Sequence, residues 1–124
     1  MRKVFQEQGA DNVAWVWSVN WNSHPNKSWN QYQSYYPGDA HVDWVGISGY
    51  NLNNEDPETL YDRLYKGFAS RKPMMITEMG STERGGTSKG DWINKFAAYV
   101  AKRPNICGVV WFDTSLPLSY TVSF

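Results

Sequence analysis

Glu78 is the residue whose type and setting could do chemistry. It follows residues 73–76, a short apolar run that begins with proline and has the character of a buried parallel strand. A carboxylate placed where such a strand leaves the core can act as acid, base or nucleophile, because it lies in a low dielectric yet within reach of solvent. Gly80 predicts a sharp turn just beyond it. Alternatively, Glu78 caps the next helix or pairs with Arg84, since structural ion pairs also occupy strand ends.

Four apolar segments of strand type recur along the chain, and their centres are about 30 residues apart. That is the spacing of βα units, whose natural product is a parallel sheet. Four units make half of an eight-stranded barrel, which takes about 250 residues, and this chain has 124. We therefore predict one α/β domain over residues 1–124, built as half of a (β/α)8 TIM barrel. The predicted strands are residues 12–18, 42–50, 71–81 and 106–113.

Helical patterns lie before the first strand and after the second and third. Residues 1–8 have the pattern of the last turns of a helix that ends at Gly9. We therefore expect that further residues normally precede them. Pro57 is well placed in the first turn of the second helix. Ser88 or Asp91 can start the third helix, and Pro104 stops it.

Composition narrows the function classes. Twelve basic residues balance twelve acidic ones, so a nucleic-acid partner is not expected. We expect no signal peptide within residues 1–124 and no membrane span, since the sequence has no apolar run of sufficient length. The single cysteine, Cys107, excludes an internal disulfide and reads as a small buried residue. His24 and His41 lack partners at metal-ligand spacing, so no metal or other cofactor is expected.

Aromatic content is high, with seven Trp, eight Tyr and five Phe. A core of this size does not need seven tryptophans, so some are expected to line a surface that binds apolar or planar faces, sugar rings included. Trp15 and Trp44, in the middle of predicted strands, are expected in the core.

Six short segments resemble a known family in their order and spacing, over about residues 1–115. Together they resemble the C-terminal half of a clan A glycoside hydrolase, most of all the family 26 group of β-mannanases and related endo-β-glucanases. The segments are WVWS at 15–18, YYPGD at 35–39, VDWVG at 42–46, GYN at 49–51, KPMMITEMGS at 72–81 and VVWFD at 109–113.

The resemblance implies that the chain corresponds to barrel strands 5–8, and it implies a role for several residues. Glu78 would be the nucleophile at the end of the seventh strand, and Tyr50 the sixth-strand tyrosine that hydrogen-bonds it. Trp111 would form the floor under the reacting sugar. Trp17 and Trp21 would be further platforms near the end of the fifth strand. The alternative for Tyr50 and Trp111 is that they are plain core aromatics.

The sequence also departs from the family's pattern. A retaining glycosidase needs two carboxyl groups about 5 Å apart, and the family's second one lies on the fourth strand, which has no counterpart here. Residues 115–124 do not resemble the family's continuation of the chain, so we regard them as an atypical tail. We therefore expect a homodimer in which two copies complete one barrel, because an open sheet would expose two edges. In that dimer Asp113 of the second copy would be the nearest substitute acid.

Two functions remain open at this stage. In the first, the protein is an endo-acting glycoside hydrolase of β-1,4-linked mannan or glucan, working by retaining double displacement. In the second, it is an inactive half-barrel that keeps only the fold or some sugar affinity. A βα domain unrelated to sugars is a further alternative, since periodicity alone says little about chemistry. The parent enzyme is expected to be secreted.

Overall fold

The computed structural model describes residues 1–83 and 88–112. The strands are β1 (Val16–Asn20), β2 (Trp44–Asn51), β3 (Met74–Ser81) and β4 (Ile106–Trp111). The helices are α1 (Arg2–Glu7), α2 (Pro57–Phe68) and α3 (Lys89–Ala101). Three short 3-10 turns lie between β1 and β2, at Ser28–Asn30, Tyr32–Tyr35 and Asp39–His41.

The four strands form one sheet in the order β1-β2-β3-β4, and every neighbouring pair is parallel. Helices α2 and α3 are the crossovers from β2 to β3 and from β3 to β4. The predicted α/β fold, with sequential parallel strands and alternating helices, is therefore confirmed. Because all strands run in the same direction, their carboxyl ends meet at one rim of the sheet.

One face of the sheet carries the core. Helices α2 and α3 cover it with aromatic and aliphatic side chains, and the indole of Trp92 stacks on Phe96 with ring centroids 5.5 Å apart. The sheet contributes side chains that are at most 3% exposed. Residues of this core are Val45, Ile47, Met74, Ile76 and Met79 from the strands and Leu60, Tyr61, Leu64, Phe68, Trp92, Phe96 and Tyr99 from the helices.

The helix ends follow the predicted signals. Pro57 lies in the first turn of α2. Ser88 is the N-cap of α3, where its hydroxyl accepts a hydrogen bond from the Asp91 backbone at 3.0 Å. Gly9 follows α1 with φ +69°, a conformation that favours glycine. None of the helices in the described ranges is long and apolar enough to cross a membrane.

Two expectations are corrected. Strand β1 begins at Val16 rather than at residue 12, since its ladder with β2 starts at the pair Val16 and Trp44; the N–H of the preceding residue, Trp15, donates to the Asp43 carboxylate at 2.7 Å. Cys107 is exposed rather than buried. It lies on the edge strand β4 at a register irregularity: Met74 pairs with Ile106 but the next residue, Met75, pairs with Gly108, so Cys107 is left out of the ladder.

Candidate active site

The face of the sheet opposite α2 and α3, here called the open face, carries small polar residues. A Cβ added to Gly46 would come within 2.6 Å of the Thr77 methyl carbon and 2.8 Å of Ser18 Cβ, so these three residues share that face. A Cβ on Gly49 would instead come within 2.9 Å of Tyr61 on α2. The open face is therefore polar near its carboxyl rim.

Tyr50 and Glu78 form a pair on the open face at this rim. The Tyr50 hydroxyl, near the carboxyl end of β2, donates to Glu78 Oε2 at 2.7 Å. Glu78 is exposed, and Tyr50 is half-buried. The expected contact between tyrosine and carboxylate is thus present in the structure. The carboxylate is fixed through one oxygen and stays accessible to a ligand that approaches the open face.

Gly80 leaves room for the ring of Tyr50. A Cβ at Gly80 would lie 3.1 Å from Tyr50 Cδ1 and 3.3 Å from Cε1, which is too close for most side chains. The expected sharp turn is absent, because β3 continues through Gly80 to Ser81. The glycine therefore serves the close approach of an aromatic ring rather than a change of chain direction.

A β-bulge turns Glu78 onto the open face. Ile76 pairs with Ile47 of β2, but Glu78 pairs with the next residue, Ser48, so Thr77 is an extra residue in β3. Side chains alternate along a strand, so without the bulge Glu78 would follow Met74 and Ile76 into the core. The bulge instead exposes Glu78 and buries the next residue, Met79, which is 2% exposed.

The electrostatic partner of Glu78 is the Tyr50 phenol. Burial raises the pKa of Tyr50 above its usual value, and the hydrogen bond to Glu78 and the negative charge of that carboxylate raise it further. Tyr50 consequently stays protonated and remains a hydrogen-bond donor throughout the neutral pH range. The arrangement can present an oriented carboxylate to an electrophilic carbon.

Trp17 occupies a different place from the expected one. Its ring lies on the helix-covered face, 4.9 Å from the ring of Tyr36 and 5.6 Å from that of Phe68 on α2. The reason is the alternation of β1, in which Ser18 faces the open side and its neighbour Trp17 faces the core. Trp17 is therefore placed to pack the core rather than to meet a sugar beside Glu78.

Trp21 and Trp111 are partly buried against the same core. The Trp21 backbone donates to the Ser48 carbonyl at 2.8 Å, and its Cβ lies on the side of Gly49 that faces α2. The Lys89 ammonium of α3 lies 5.2 Å from the ring centroid of Trp111. The role of these two residues as sugar platforms stays a prediction.

Phe112 is the aromatic residue that the structure brings beside Tyr50. The two rings meet edge to face with centroids 6.2 Å apart, and Phe112 is 47% exposed. Sequence reasoning missed Phe112, because within the segment at 109–113 the resemblance implies a role under the sugar for Trp111 and none for Phe112. Alternation across the end of β4 was the signal that could have separated the two residues.

Sequence reasoning also missed a group of hydroxyl residues next to Glu78. Ser18, Ser48 and Thr77 lie one on each of β1, β2 and β3, and the Thr77 hydroxyl contacts the hydroxyls of both serines. The available signal was a serine or threonine in each of three successive strands.

Asp113 and Arg84, the expected acid and the alternative partner of Glu78, lie outside the described residues. Within residues 1–83 and 88–112, no group of three or more acidic, His or Cys side chains is placed to hold a metal.

Two curated proteins are similar in sequence to this chain. Endoglucanase H of Acetivibrio thermocellus is 35% identical over 132 residues, which cover 97% of this chain and 14% of that protein. Mannan endo-1,4-beta-mannosidase A and B of Caldalkalibacillus mannanilyticus is 30% identical over 112 residues, 90% of this chain and 20% of that protein. The chain thus spans a fifth or less of the length of either relative.

A solved structure shares the fold. GH26A from Muricauda sp. MAR_2010_75 superposes with a TM-score of 0.53 at 22% sequence identity, over 88% of this chain and 31% of that one. The sequence model of Glycosyl hydrolase family 26 matches residues 1–116. With nearly its whole length accounted for by that match, the chain belongs to glycosyl hydrolase family 26.

Proposed function

We propose that this chain carries the nucleophile of a glycoside hydrolase that cleaves β-1,4-linked polysaccharide at internal bonds. The observation that carries the proposal is the contact between Tyr50 and Glu78 in a member of a glycosyl hydrolase family. Glu78 lies at the carboxyl rim of a parallel sheet, where barrel enzymes hold their reacting groups. It is exposed, and one of its oxygens is fixed by a donor.

The reaction assigned to this site is a retaining double displacement. The Glu78 carboxylate attacks the anomeric carbon of the sugar, and the bond from that carbon to the glycosidic oxygen breaks as the oxygen takes a proton from a general acid. Water then attacks the anomeric carbon of the glycosyl ester and gives a proton to the same general acid, now a base. This second step releases the sugar and restores the carboxylate.

Tyr50 and Phe112 have distinct roles in the proposal. The Tyr50 hydroxyl holds Glu78 Oε2, so that the other carboxylate oxygen is directed at the substrate. Phe112, half-exposed and edge-on to Tyr50, offers an apolar surface for a sugar ring. Trp21 and Trp111, partly buried at the same rim, are further candidates for substrate contact.

The polysaccharide substrate is either mannan or glucan, because one relative is named an endoglucanase and the other a mannan endo-1,4-beta-mannosidase. The general acid and the oligomeric state remain predictions. In the expected homodimer Asp113 of a second copy would be the substitute acid, and a retaining enzyme requires its two carboxyl groups to lie about 5 Å apart. Sedimentation at several protein concentrations tests the dimer.

The proposal is tested by the release of reducing sugar from β-mannan and β-glucan. Glu78→Gln keeps the size of the side chain and removes the nucleophile, so we expect activity to fall by at least about 10³-fold. Glu58→Gln, an exposed carboxylate in the first turn of α2, is the matched control and should retain activity. Hydrolysis that persists in Glu78→Gln would remove Glu78 from this role.

A second assay separates a nucleophile from an acid. In Glu78→Ala, azide can enter the space of the carboxylate and attack an activated β-aryl glycoside, which yields the α-glycosyl azide. A β-glycosyl azide would instead identify Glu78 as the acid or base. If the wild-type protein binds oligosaccharides but releases no sugar, the inactive half-barrel is the correct function.

A further inference from the structure

Three hydroxyl side chains, here called the hydroxyl cluster, meet on the open face beside Glu78. Thr77 Oγ1 lies 2.6 Å from Ser18 Oγ and 3.2 Å from Ser48 Oγ. The Thr77 methyl group lies over Gly46, in the space that a side chain there would need. Because both its hydroxyl and its methyl group are held in place, Thr77 is confined to one side-chain rotamer.

Thr77 is also the extra residue of the bulge. On the β2 side, the pairing steps from Ile76 to Glu78 while β2 advances by one residue. On the β4 side, Ile76 pairs with Val109 and Met79 with Trp111, so β3 again has one residue more than its neighbour. A bulged residue is left out of the regular ladder, so the strand pairing alone does not fix its conformation.

The cluster provides the contacts that the ladder does not. It ties the bulged residue to β2 through Ser48 and, across β2, to β1 through Ser18. Ser48 is at the same time the residue that pairs with Glu78. The hydroxyl of Thr77 is therefore hydrogen-bonded to the residue that pairs with Glu78 in the ladder.

We propose that Thr77 is a positioning residue for the reaction. Its hydroxyl, held by Ser18 and Ser48, fixes the bulge that turns Glu78 onto the open face and into contact with Tyr50. The inference rests on the proposed function, because it concerns the carboxylate assigned as nucleophile. Thr77 acts through Glu78 and does not itself touch the sugar.

The first test is kinetic. Thr77→Val keeps the shape of the side chain and removes the hydroxyl, and a misplacement of the reacting group by about 1 Å costs on the order of 100-fold in rate. We expect kcat to fall about 10- to 100-fold with KM changed by less than about twofold, because an interaction that matters in the transition state is lost. Thr77→Ser restores the hydroxyl and should recover kcat to within about threefold.

Thr59→Val is the matched control, because it is the same substitution at an exposed position of α2. It should leave kcat and KM unchanged. A purely structural role for Thr77 predicts instead that Thr77→Val lowers the unfolding temperature while kcat of the folded enzyme is kept. That result would overturn the proposal.

The second test does not need activity. Crystal structures of Thr77→Val and Thr77→Ser measure the separation of Tyr50 Oη and Glu78 Oε2, which is 2.7 Å in the wild type. We expect it to exceed about 3.5 Å in the valine variant and to stay within hydrogen-bond range in the serine variant. A valine variant that keeps the contact, with wild-type kcat, refutes the positioning role.

Two further outcomes are separable. If Thr77→Val does not fold, Ser18→Ala and Ser48→Ala each remove one partner of its hydroxyl, and we expect a smaller fall in kcat for each and a larger one for the pair. Unchanged kcat in the double variant would then refute the inference.

If Glu78→Gln retains activity while Thr77→Val loses the Tyr50 contact, the proposed function fails and the positioning of residue 78 stands.

Discussion

Replacing Tyr50 with phenylalanine tests the candidate site most economically, because it removes one hydroxyl and keeps the ring. The ring contacts that hold Tyr50 are its approach to Gly80 and its edge-to-face contact with Phe112 at 6.2 Å. Both survive the substitution, so we expect the variant to fold, with its unfolding temperature lowered only by what one hydrogen bond contributes. What is lost is the hydrogen bond of 2.7 Å to Glu78 Oε2.

The size of the effect follows from the kind of hydrogen bond. A hydrogen bond to a charged group contributes about 1.5–3 kcal/mol, and each 1.36 kcal/mol is a factor of about ten in rate. Glu78 is exposed, so water can replace part of the lost contact, and the lower end of this range applies. We therefore expect kcat/KM of Tyr50→Phe to fall about tenfold.

The assay is steady-state hydrolysis of an activated β-aryl glycoside, with thermal unfolding as the check of folding. Tyr65→Phe, a half-buried tyrosine of α2, is the control and should match the wild type. Two results would refute the reasoning: a kcat/KM for Tyr50→Phe within about twofold of wild type, or an equal loss in Tyr65→Phe.

Two further substitutions test the packing beside the site and an ion pair between α2 and the end of α3. Gly46→Ala would place a Cβ 2.6 Å from the Thr77 methyl carbon, so we expect the free energy of unfolding to fall by about 1–3 kcal/mol. In the control Gly108→Ala the atom nearest to the added Cβ is 3.5 Å away, so the free energy of unfolding should change little. Equal effects of the two substitutions in urea denaturation would contradict this. Burial alone would raise the pKa of Asp62, but hydrogen bonds from Lys66, Arg103 and Tyr99 and the charge of Arg103 outweigh it, so the folded-state pKa is lowered. The stability from Asp62 is therefore complete above its unfolded pKa of about 3.9 and is lost as the pH falls through the lower folded value. We expect Asp62→Asn to cost about 1–3 kcal/mol at pH 7 and less below about pH 4, and a loss independent of pH in thermal unfolding would contradict the sign.

The sequence predicted the order of elements well because strong local signals mark them. The apolar run at 73–76, Pro57 at the first turn of α2 and Ser88 at the N-cap of α3 each act within a few residues. The place of Glu78 near the carboxyl end of β3 and its contact with Tyr50 were also within reach, because both residues belong to apolar strand segments and the family resemblance pairs them.

The direction in which side chains point was not predictable in the same way. Trp17 and Trp111 face the core, and Phe112 faces Tyr50, because alternation depends on the register of each strand. The bulge at Thr77 shifts that register by one residue, and nothing in the local sequence marks it. Cys107 is exposed at a register irregularity of the edge strand β4, which is a property of the sheet rather than of the segment.

The most direct measurement of the central claim is to trap the covalent intermediate. With an activated 2-deoxy-2-fluoro β-glycoside the second displacement is slower than the first, so a retaining enzyme accumulates as its glycosyl ester. Mass spectrometry of the digested protein should find the added sugar on the peptide that contains Glu78, and no label should form in Glu78→Gln. A label on any other carboxylate, such as Glu55 or Glu83, would contradict the assignment.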